Sequence, residues 1–156
     1  MEIKDGELIF ERAFDIEALS SFNCGIRELD QLIHKKNNGL RDFVLHNECD
    51  TFFVYYNEIL VALFVYSNGT FETDDGNYEA TEIDFLAVRK EYRSNNIGRN
   101  IIEKISEYSL INDRGFLTVG SFCNDKYSAQ EFYQKCGFEQ ISEKQGNIVP
   151  MFKELL

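Results

Sequence analysis

The segment from Phe85 to Arg99 has the residue types and spacing of an anion-binding site. Its apolar run Phe85-Leu86-Ala87-Val88 is typical of a strand, and the polar loop Arg93-Ser94-Asn95-Asn96-Ile97-Gly98 leads from it into an amphipathic helix. Backbone N–H groups at a helix N-terminus carry partial positive charge and bind phosphate. Asn96 and Gly98 are residue types that accept the left-handed backbone of a nest of N–H donors. These residues alone predict a pyrophosphate-binding loop.

Two carboxylates precede this loop in the same strand. Glu82 and Asp84 alternate with Ile83 and Phe85, so both carboxylates emerge on one face. Side by side, one of them should have a raised pKa and can accept a proton, directly or through water, from an alkylammonium whose own pKa is about 10. The spacing leaves open which of the two is the general base and which is a substrate-binding carboxylate, and binding of a substrate ammonium by the pair is the rival interpretation.

The hydrophobic periodicity around these residues predicts an α/β fold. It indicates strands at 7–10, 51–56, 59–66, 81–88, 116–121, 138–142 and 148–154, and helices between Asn23 and Gly39 and at 40–45, 97–110 and 129–136. Strand, helix and strand in succession from 81 to 121 imply a parallel pair. The hairpins on either side make the rest of the sheet antiparallel. We therefore expect a mixed, mostly antiparallel sheet with helices on both faces.

Local signals refine this expectation. Asn23 is predicted to be the N-cap of the first helix, and Gly39 to end it. Asn57-Glu58 reads as a hairpin turn, and Ser128-Ala129-Gln130-Glu131 as a capping box. The acidic stretch Ser67–Ala80 is predicted to be a mobile loop, and Pro150 to occupy an edge or a bulge.

Composition bounds the function. The 156 residues predict a single domain over 1–156. The chain has neither a bilayer-spanning apolar run nor a signal-peptide pattern, and we expect a cytoplasmic protein without a membrane partner. Four cysteines without a Cys-x-x-Cys spacing and only two histidines argue against a metal site. The net charge of −11 argues against a nucleic-acid partner and favours a small cationic amine as substrate.

Two motifs resemble one enzyme family. Leu86-Ala87-Val88 followed by Arg93-x-x-Asn96-x-Gly98 is similar to the acyl-CoA-binding motif of the GNAT (GCN5-related) N-acetyltransferases, with Asn96 in place of the first glycine. Downstream, Phe132-Tyr133-Gln134-Lys135-Cys136-Gly137-Phe138 resembles the family's Phe-Tyr-x-x-x-Gly-Phe signature. The two occur in the family's order, and the resemblance is sharpest from Thr81 to Phe138.

The resemblance implies the GNAT fold and acetyl-CoA as cosubstrate. In the family, backbone groups of the strand before the loop pair with pantetheine, the role of Leu86 and Val88 here, and many relatives use a tyrosine at the position of Tyr133 to protonate the departing thiolate. Glu82-Ile83-Asp84-Phe85-Leu86-Ala87-Val88 also resembles the histone-acetyltransferase branch, which has its general base at the position of Glu82. The residues implied to bind acetyl-CoA are Leu86, Ala87, Val88, Arg93, Ser94, Asn95, Asn96, Ile97, Gly98, Arg99 and Asn124.

Three functions remain open at this point. The leading one is N-acetylation of a primary amine of a cationic small molecule or a peptide, and the resemblance allows a homodimer. The second comes from Phe22-Asn23-Cys24-Gly25 and Leu29-Asp30-Gln31-Leu32, which resemble the amino-terminal pattern of GNAT toxins that acetylate aminoacyl-tRNA; tRNA would then be the partner. The third is a non-catalytic module that binds acyl-CoA.

Overall fold

The computed structural model describes residues 3–13, 16–35, 39–40 and 50–156. In these residues one mixed sheet has the strand order β1-β2-β3-β4-β5-β7-β6, with β4 and β5 parallel. This confirms the predicted fold class. The strands are β1 (Ile9–Arg12), β2 (Asp50–Tyr56), β3 (Ile59–Thr73), β4 (Gly76–Val88), β5 (Phe116–Phe122), β6 (Glu139–Gln140) and β7 (Ile148–Glu154). The helices are α1 (Arg27–His34), α2 (Ile97–Ile111) and α3 (Gln130–Lys135), with 3₁₀ turns at Asp5–Glu7, Ile16–Leu19 and Lys90–Tyr92.

Contacts group the chain into two compact units. Unit 1 comprises Met1–Val65 and Phe85–Ile101, and unit 2 comprises Tyr66–Asp84 and Ile102–Leu156. Neither the helix predicted at 40–45 nor Cys49 can be assigned, since 41–49 lie outside the described residues. No helix in the described ranges is both long and apolar enough to cross a bilayer. The same residues contain no group of three or more His, Cys, Asp or Glu side chains arranged to hold a metal ion.

Unit 1 contains the predicted hairpin between β2 and β3. Asn57 and Glu58 both have positive φ, 48° and 67°, as the two central residues of a type I′ turn require. The N-terminal cap of α1 differs from the prediction, because Ile26 occupies the cap position and the Asn23 side chain instead accepts a hydrogen bond from the Gly25 N–H at 2.6 Å. The helix also ends before Gly39, since Lys35 has extended backbone.

Unit 2 contains a long hairpin where a mobile loop was predicted. The expectation for Ser67–Ala80 is wrong, since β3 continues to Thr73 and β4 begins at Gly76. Aromatic packing provides the reason: the Phe71 ring lies 5.0 Å from that of Phe116 and 4.6 Å from that of Phe152. The acidic residues that suggested a loop are exposed along these strands and their turn.

Two further local predictions need correction in unit 2. Ala129, rather than Ser128, is the residue before α3, although the Ser128 hydroxyl accepts the Gln130 N–H at 3.2 Å. Pro150 lies in β7, which pairs with β5 and β6, and so is at neither an edge nor a bulge. Its carbonyl accepts the Ile141 N–H at 2.9 Å. The nitrogen of a strand residue faces the same side as its carbonyl, so the missing donor of Pro150 faces the end of the short strand β6.

Candidate active site

The loop between β4 and α2 has the backbone of an anion-binding nest. Ser94 and Asn96 have φ values of 65° and 69°, so left-handed residues alternate with others before the helix begins. Asn96 is left-handed as predicted, whereas Gly98 is already in the first turn of α2 and Ser94 is the second left-handed position. The Asn95 side chain fixes the loop, because its Nδ2 donates to the carbonyl oxygens of Tyr92 at 3.0 Å and Arg93 at 3.1 Å.

The charge and dipole at this loop suit a pyrophosphate. The helix α2 runs for 15 residues from Ile97, and the N–H groups of a first helical turn have no partners within the helix. Residues 89–99 carry four basic side chains and one acidic one, in a chain whose net charge is −11. Arg93 directly precedes the left-handed Ser94, and Arg99 lies in the first turn of α2, so cations and N–H donors are concentrated on one short segment of unit 1.

A second segment of unit 1, Ser21–Gly25, packs against residues 89–93, and we call it the clip. The Lys90 N–H donates to the Asn23 carbonyl at 3.3 Å. The Arg89 Nη1 donates to the Ser21 carbonyl at 3.2 Å. Gly25 has a φ of +83°, and a Cβ there would lie 2.9 Å from Lys90 Cδ and 3.2 Å from Arg93 Nη2. Only a residue without a side chain allows this approach with that backbone.

Asp30 in α1 holds the clip. Its Oδ1 accepts the Cys24 N–H at 2.8 Å, and its Oδ2 accepts the Gly25 N–H at 3.1 Å. Burial raises the pKa of the Cys24 thiol to about 11, so this cysteine is a packed thiol rather than a nucleophile. The Phe22–Gly25 and Leu29–Leu32 pattern in the sequence is therefore one folded unit in which a helix carboxylate fixes the clip beside Lys90 and Arg93.

Loss of the Asp30 carboxylate should weaken acetyl-CoA binding without slowing acetyl transfer. In Asp30→Ala two hydrogen bonds to the clip are lost, each worth about 0.5–1.5 kcal/mol, and the residues that hold Arg93 in place become less ordered. We expect KM for acetyl-CoA to rise about 3- to 10-fold with kcat within about twofold. Steady-state kinetics with varied acetyl-CoA measures both.

The matched control is Asp75→Ala, at an exposed turn in unit 2, which should leave both constants unchanged. An unchanged KM in Asp30→Ala would contradict a positioning role for the clip. A fall in kcat of the same size as the rise in KM would also contradict that role.

The end of β4 supplies the backbone predicted to pair with pantetheine. Leu86 and Val88 are half-buried and Ala87 is buried, in strict alternation. The parallel pairs with β5 run from Ala80 to Ile83, and β4 continues to Val88 beyond them. The Arg89 N–H donates to the Val61 carbonyl at 2.7 Å, which fixes this end of the strand against β3.

The structure brings Glu82 and Asp84 together in unit 2. Glu82 Oε2 accepts a hydrogen bond from the Thr118 hydroxyl, and Asp84 accepts one from the Ser67 hydroxyl. Partial burial raises the pKa of Asp84, and the negative charge of Glu82 raises it further, against the lowering effect of Ser67. The raised pKa in the pair is that of Asp84, and the role of Glu82 as the general base stays a prediction.

Tyr133 is fixed by the way α3 ends. Gly137 has a φ of +95°, the Phe138 N–H donates to the Tyr133 carbonyl at 3.0 Å, and the Gly137 N–H donates to the Gln134 carbonyl at 3.0 Å. This is a Schellman motif, in which the residue after the glycine packs on the last helical turn. The Phe138 ring accordingly lies 5.3 Å from the Tyr133 ring, at 71°. The Phe-Tyr-x-x-x-Gly-Phe pattern thus encodes a helix end that orients one tyrosine.

The Tyr133 side chain is almost completely buried, with 5% of its surface exposed. Burial raises its pKa well above the ordinary value for a phenol, and the nearby Tyr127 and Cys136 raise it further. The hydroxyl therefore keeps its proton throughout the neutral range, which is the form a proton donor requires.

The side-chain oxygen of Asn124 closes a turn within unit 2. Its Oδ1 accepts the N–H groups of Lys126 at 2.9 Å and Tyr127 at 2.8 Å, which closes the turn before α3. The side-chain carbonyl is therefore engaged within unit 2, and contact between Asn124 and acetyl-CoA stays a prediction.

The comparisons with known proteins agree with this geometry. The family model described as "Acetyltransferase (GNAT) domain" matches residues 48–140. The chain belongs to the GNAT acetyltransferase family. This confirms the enzyme class that the motifs predicted, an N-acetyltransferase, and with it acetyl-CoA as the cosubstrate.

Solved structures similar to this GNAT enzyme include bacterial toxins. One described as a bacterial toxin has a TM-score of 0.76 at 15% identity, over 95% of this chain and 90% of the toxin. A tyrosine-to-phenylalanine variant of the AtaT toxin, bound to acetyl-CoA and to the C-terminus of the antitoxin AtaR, has a TM-score of 0.71 at 17% identity, over 96% and 94%. AtaT complexed with acetyl-methionyl-tRNAfMet has a TM-score of 0.66 at 17% identity, over 92% and 93%. No curated protein sequence matches the chain.

These relatives correct the partners predicted for this GNAT enzyme. The preference for a small-molecule or peptide amine as partner, with tRNA only as the alternative, is wrong, because the similar toxins bind an antitoxin and an acetylated aminoacyl-tRNA. The net charge of −11 misled because it averages over the whole surface, while residues 89–99 alone carry a net charge of +3, four basic and one acidic. Local charge decides whether a phosphate group is held.

The sequence analysis did not identify the residues whose hydrogen bonds hold the predicted site residues of this GNAT enzyme. Thr118 and Ser67 hold Glu82 and Asp84, and Asp30 holds the clip. The alternation Phe116, Thr118, Gly120 could have indicated that Thr118 shares a strand face with the carboxylates, because β4 and β5 were predicted to be parallel neighbours.

Proposed function

We propose that this GNAT enzyme transfers the acetyl group of acetyl-CoA to the α-amine of an aminoacyl-tRNA. The observation that carries the proposal is the likeness, over 92% of the chain, to AtaT in complex with acetyl-methionyl-tRNAfMet. The clip held by Asp30 adds a second support, because its residues Phe22–Gly25 resemble the toxin pattern in sequence. A substrate of this kind agrees with the cytoplasmic location predicted for the chain.

The α-ammonium of an aminoacyl group is easier to deprotonate than an alkylammonium. Its pKa is about 8, against about 10 for an alkylammonium, so a fraction of it is already deprotonated at neutral pH. In the proposed reaction Glu82, directly or through water, accepts the proton that the ammonium loses, and Asp84 binds the ammonium. The amine nitrogen then forms a bond to the thioester carbonyl carbon.

Collapse of the resulting adduct breaks the bond between that carbon and sulfur. The Tyr133 hydroxyl donates its proton to the departing thiolate, and the tyrosinate regains a proton from solvent or from the ammonium group of the adduct. The thiol formed in this step has an ordinary pKa of about 8.5 in water, lower than that of a phenol. Apolar surroundings destabilise the thiolate as they destabilise the tyrosinate. The N–H groups of residues 94–98 and the side chains of Arg93 and Arg99 are proposed to bind the pyrophosphate.

The test measures thiol release from acetyl-CoA with charged tRNA, the same tRNA after deacylation, and a pool of polyamines, amino acids and peptides. Release with charged tRNA alone, and recovery of N-acetylated aminoacyl-tRNA, supports the proposal. Turnover with free amines but not with charged tRNA would overturn it. Acetyl-CoA binding without turnover in any arm would also overturn it and would favour the non-catalytic module.

A protein partner that restrains the activity is the second part of the proposal. AtaT is bound by the C-terminus of the antitoxin AtaR, and a protein partner of this kind is proposed for this enzyme. If the chain acts as a toxin, its induced expression should arrest bacterial growth through loss of usable aminoacyl-tRNA. Unaffected growth on expression of active enzyme would contradict this part.

A further inference from the structure

Thr118 lies beside Glu82 on the neighbouring strand of unit 2. The two residues are paired in the parallel register of β4 and β5, so their side chains emerge on the same face of the sheet. The Thr118 hydroxyl donates a hydrogen bond to Glu82 Oε2. Across the described ranges of the chain, no other hydrogen bond and no ion pair reaches this carboxylate.

Thr118 is itself firmly held. Its strand β5 lies between β4 and β7 in the sheet, and Thr118 is paired with Glu82 on one side and with Phe152 on the other. The residue is only 8% exposed, and a β-branched side chain has few allowed rotamers. The hydroxyl therefore stays in one place, whereas a glutamate side chain without such an anchor has several rotamers to choose from.

The surroundings of the Glu82 carboxylate are open and negatively charged. Glu72 and Glu82 both line one recess of unit 2, and the charge of Glu82 acts on Asp84, the next carboxylate on the same strand face. Gly69 lies across from Glu82 on β3, where a Cβ would be 3.4 Å from Glu82 Cβ, so no side chain at that position covers the carboxylate. A hydrogen bond donated to a carboxylate favours its ionised form, and here Thr118 donates that bond.

We infer that Thr118 is a positioning residue for Glu82. The inference rests on the proposed function, because it requires Glu82 to accept the proton that the α-ammonium loses. Thr118 keeps its own proton and holds Oε2, which leaves the second oxygen, Oε1, to take the proton from nitrogen directly or through water. The same bond keeps the carboxylate ionised before the transfer, the form that a base requires.

The test replaces the hydroxyl by a methyl group of similar size. In Thr118→Val we expect kcat/KM for an aminoacyl-tRNA to fall about 10-fold at pH 7, and the deficit should shrink as the pH rises through about 8, where the α-amine loses its proton to solvent. Thr118→Ser keeps a hydroxyl and should stay within about threefold of the wild type. Initial rates of N-acetylated aminoacyl-tRNA formation by the full chain give these ratios. A serine variant as slow as the valine variant would overturn the inference.

Thr81→Val is the matched control for a purely structural effect. Thr81 is the residue before Glu82, is fully buried, and shares a hydrogen bond of 2.7 Å with the Ser109 hydroxyl. This variant therefore loses a buried hydroxyl next to Glu82 without touching the carboxylate. It should lower the temperature of thermal unfolding, as Thr118→Val does, yet keep kcat/KM within about twofold. An equal loss of activity in Thr81→Val would overturn the positioning role. If valine at 118 prevents folding, Thr118→Ala replaces it, with the same expected loss.

A double-mutant cycle with Glu82→Gln shows whether Thr118 acts through the glutamate. Glutamine at 82 cannot accept the proton, so there is no base left to position. Addition of Thr118→Val to Glu82→Gln should then lower kcat/KM by less than about twofold, far from additive with the single variants. A 10-fold loss in both backgrounds would mean that Thr118 acts independently of Glu82 and would overturn the inference.

The two proposals fail in different ways. If the wild type acetylates no charged tRNA, the proposed function is wrong and the role of Thr118 falls with it. If charged tRNA is acetylated and Thr118→Val retains the full kcat/KM, the proposed function stands and the positioning role of Thr118 is wrong.

Discussion

Replacement of Tyr133 by phenylalanine should lower kcat for acetyl transfer by about 10²- to 10⁴-fold, the range for loss of a general acid. The ring, its contact with Phe138 and the Schellman motif that fixes it would all remain, so only the proton donor is removed. Single-turnover rates of acetyl-aminoacyl-tRNA formation measure the loss directly. Binding of acetyl-CoA, followed by calorimetry, should stay within about threefold.

The pH dependence gives a second signature of the same role. Because burial raises the pKa of Tyr133, the hydroxyl remains protonated beyond the ordinary phenol value of about 10. The wild-type kcat should therefore show no decline from tyrosine ionisation between pH 7 and about 9. The control Tyr78→Phe, a 42% exposed tyrosine in the same unit, should retain full activity. A fully active Tyr133→Phe would remove this residue from the mechanism.

Replacement of Glu82 by glutamine should lower kcat/KM by about 10²-fold at pH 7. Glutamine keeps the size of the side chain and can still accept the Thr118 hydroxyl, but it cannot take a proton from the acceptor amine. The deficit should shrink as the pH rises through about 8, because the α-amine then loses its proton to solvent. A pH profile of kcat/KM from 6 to 9 for both proteins measures this.

Two outcomes would exclude Glu82 as the base. A deficit of the same size at every pH would indicate a purely structural role, and an unchanged rate would indicate ordered water alone. Glu103→Gln, at an exposed residue of α2, is the matched control and should behave as the wild type.

The same variant tests the coupling between the two carboxylates. Asp84 must be ionised to bind an ammonium, so KM for the acceptor should rise as the pH falls through its raised pKa. The charge of Glu82 is one cause of that raised pKa, so in Glu82→Gln the pKa of Asp84 falls and the rise in KM should occur at a lower pH. If the pH dependence of KM is the same in Glu82→Gln and in the wild type, the charge of Glu82 does not influence Asp84.

The sequence determined the features that depend on residues close together in the chain. The left-handed Asn96 before α2, the type I′ turn at Asn57 and Glu58, and the Gly137 helix end are each set within a few residues, because backbone preference and local hydrogen bonds decide them. The loop motif at 86–98 and the helix-end motif at 132–138 were enough to indicate the GNAT family and the acetyl-CoA cosubstrate.

Tertiary structure decided what depends on distant residues meeting. The 66–80 hairpin is ordered by Phe116 and Phe152, and the clip packs against Lys90 across more than sixty residues of chain. Thr118 meets Glu82 at a separation of 36 residues. Net charge is likewise a sum over the chain, whereas a binding site responds to the charges within a few ångströms of it. The backbone of the loop between β4 and α2 follows from local patterns, but the partners of the carboxylate pair, Thr118 and Ser67, meet it only when distant strands of unit 2 pack together.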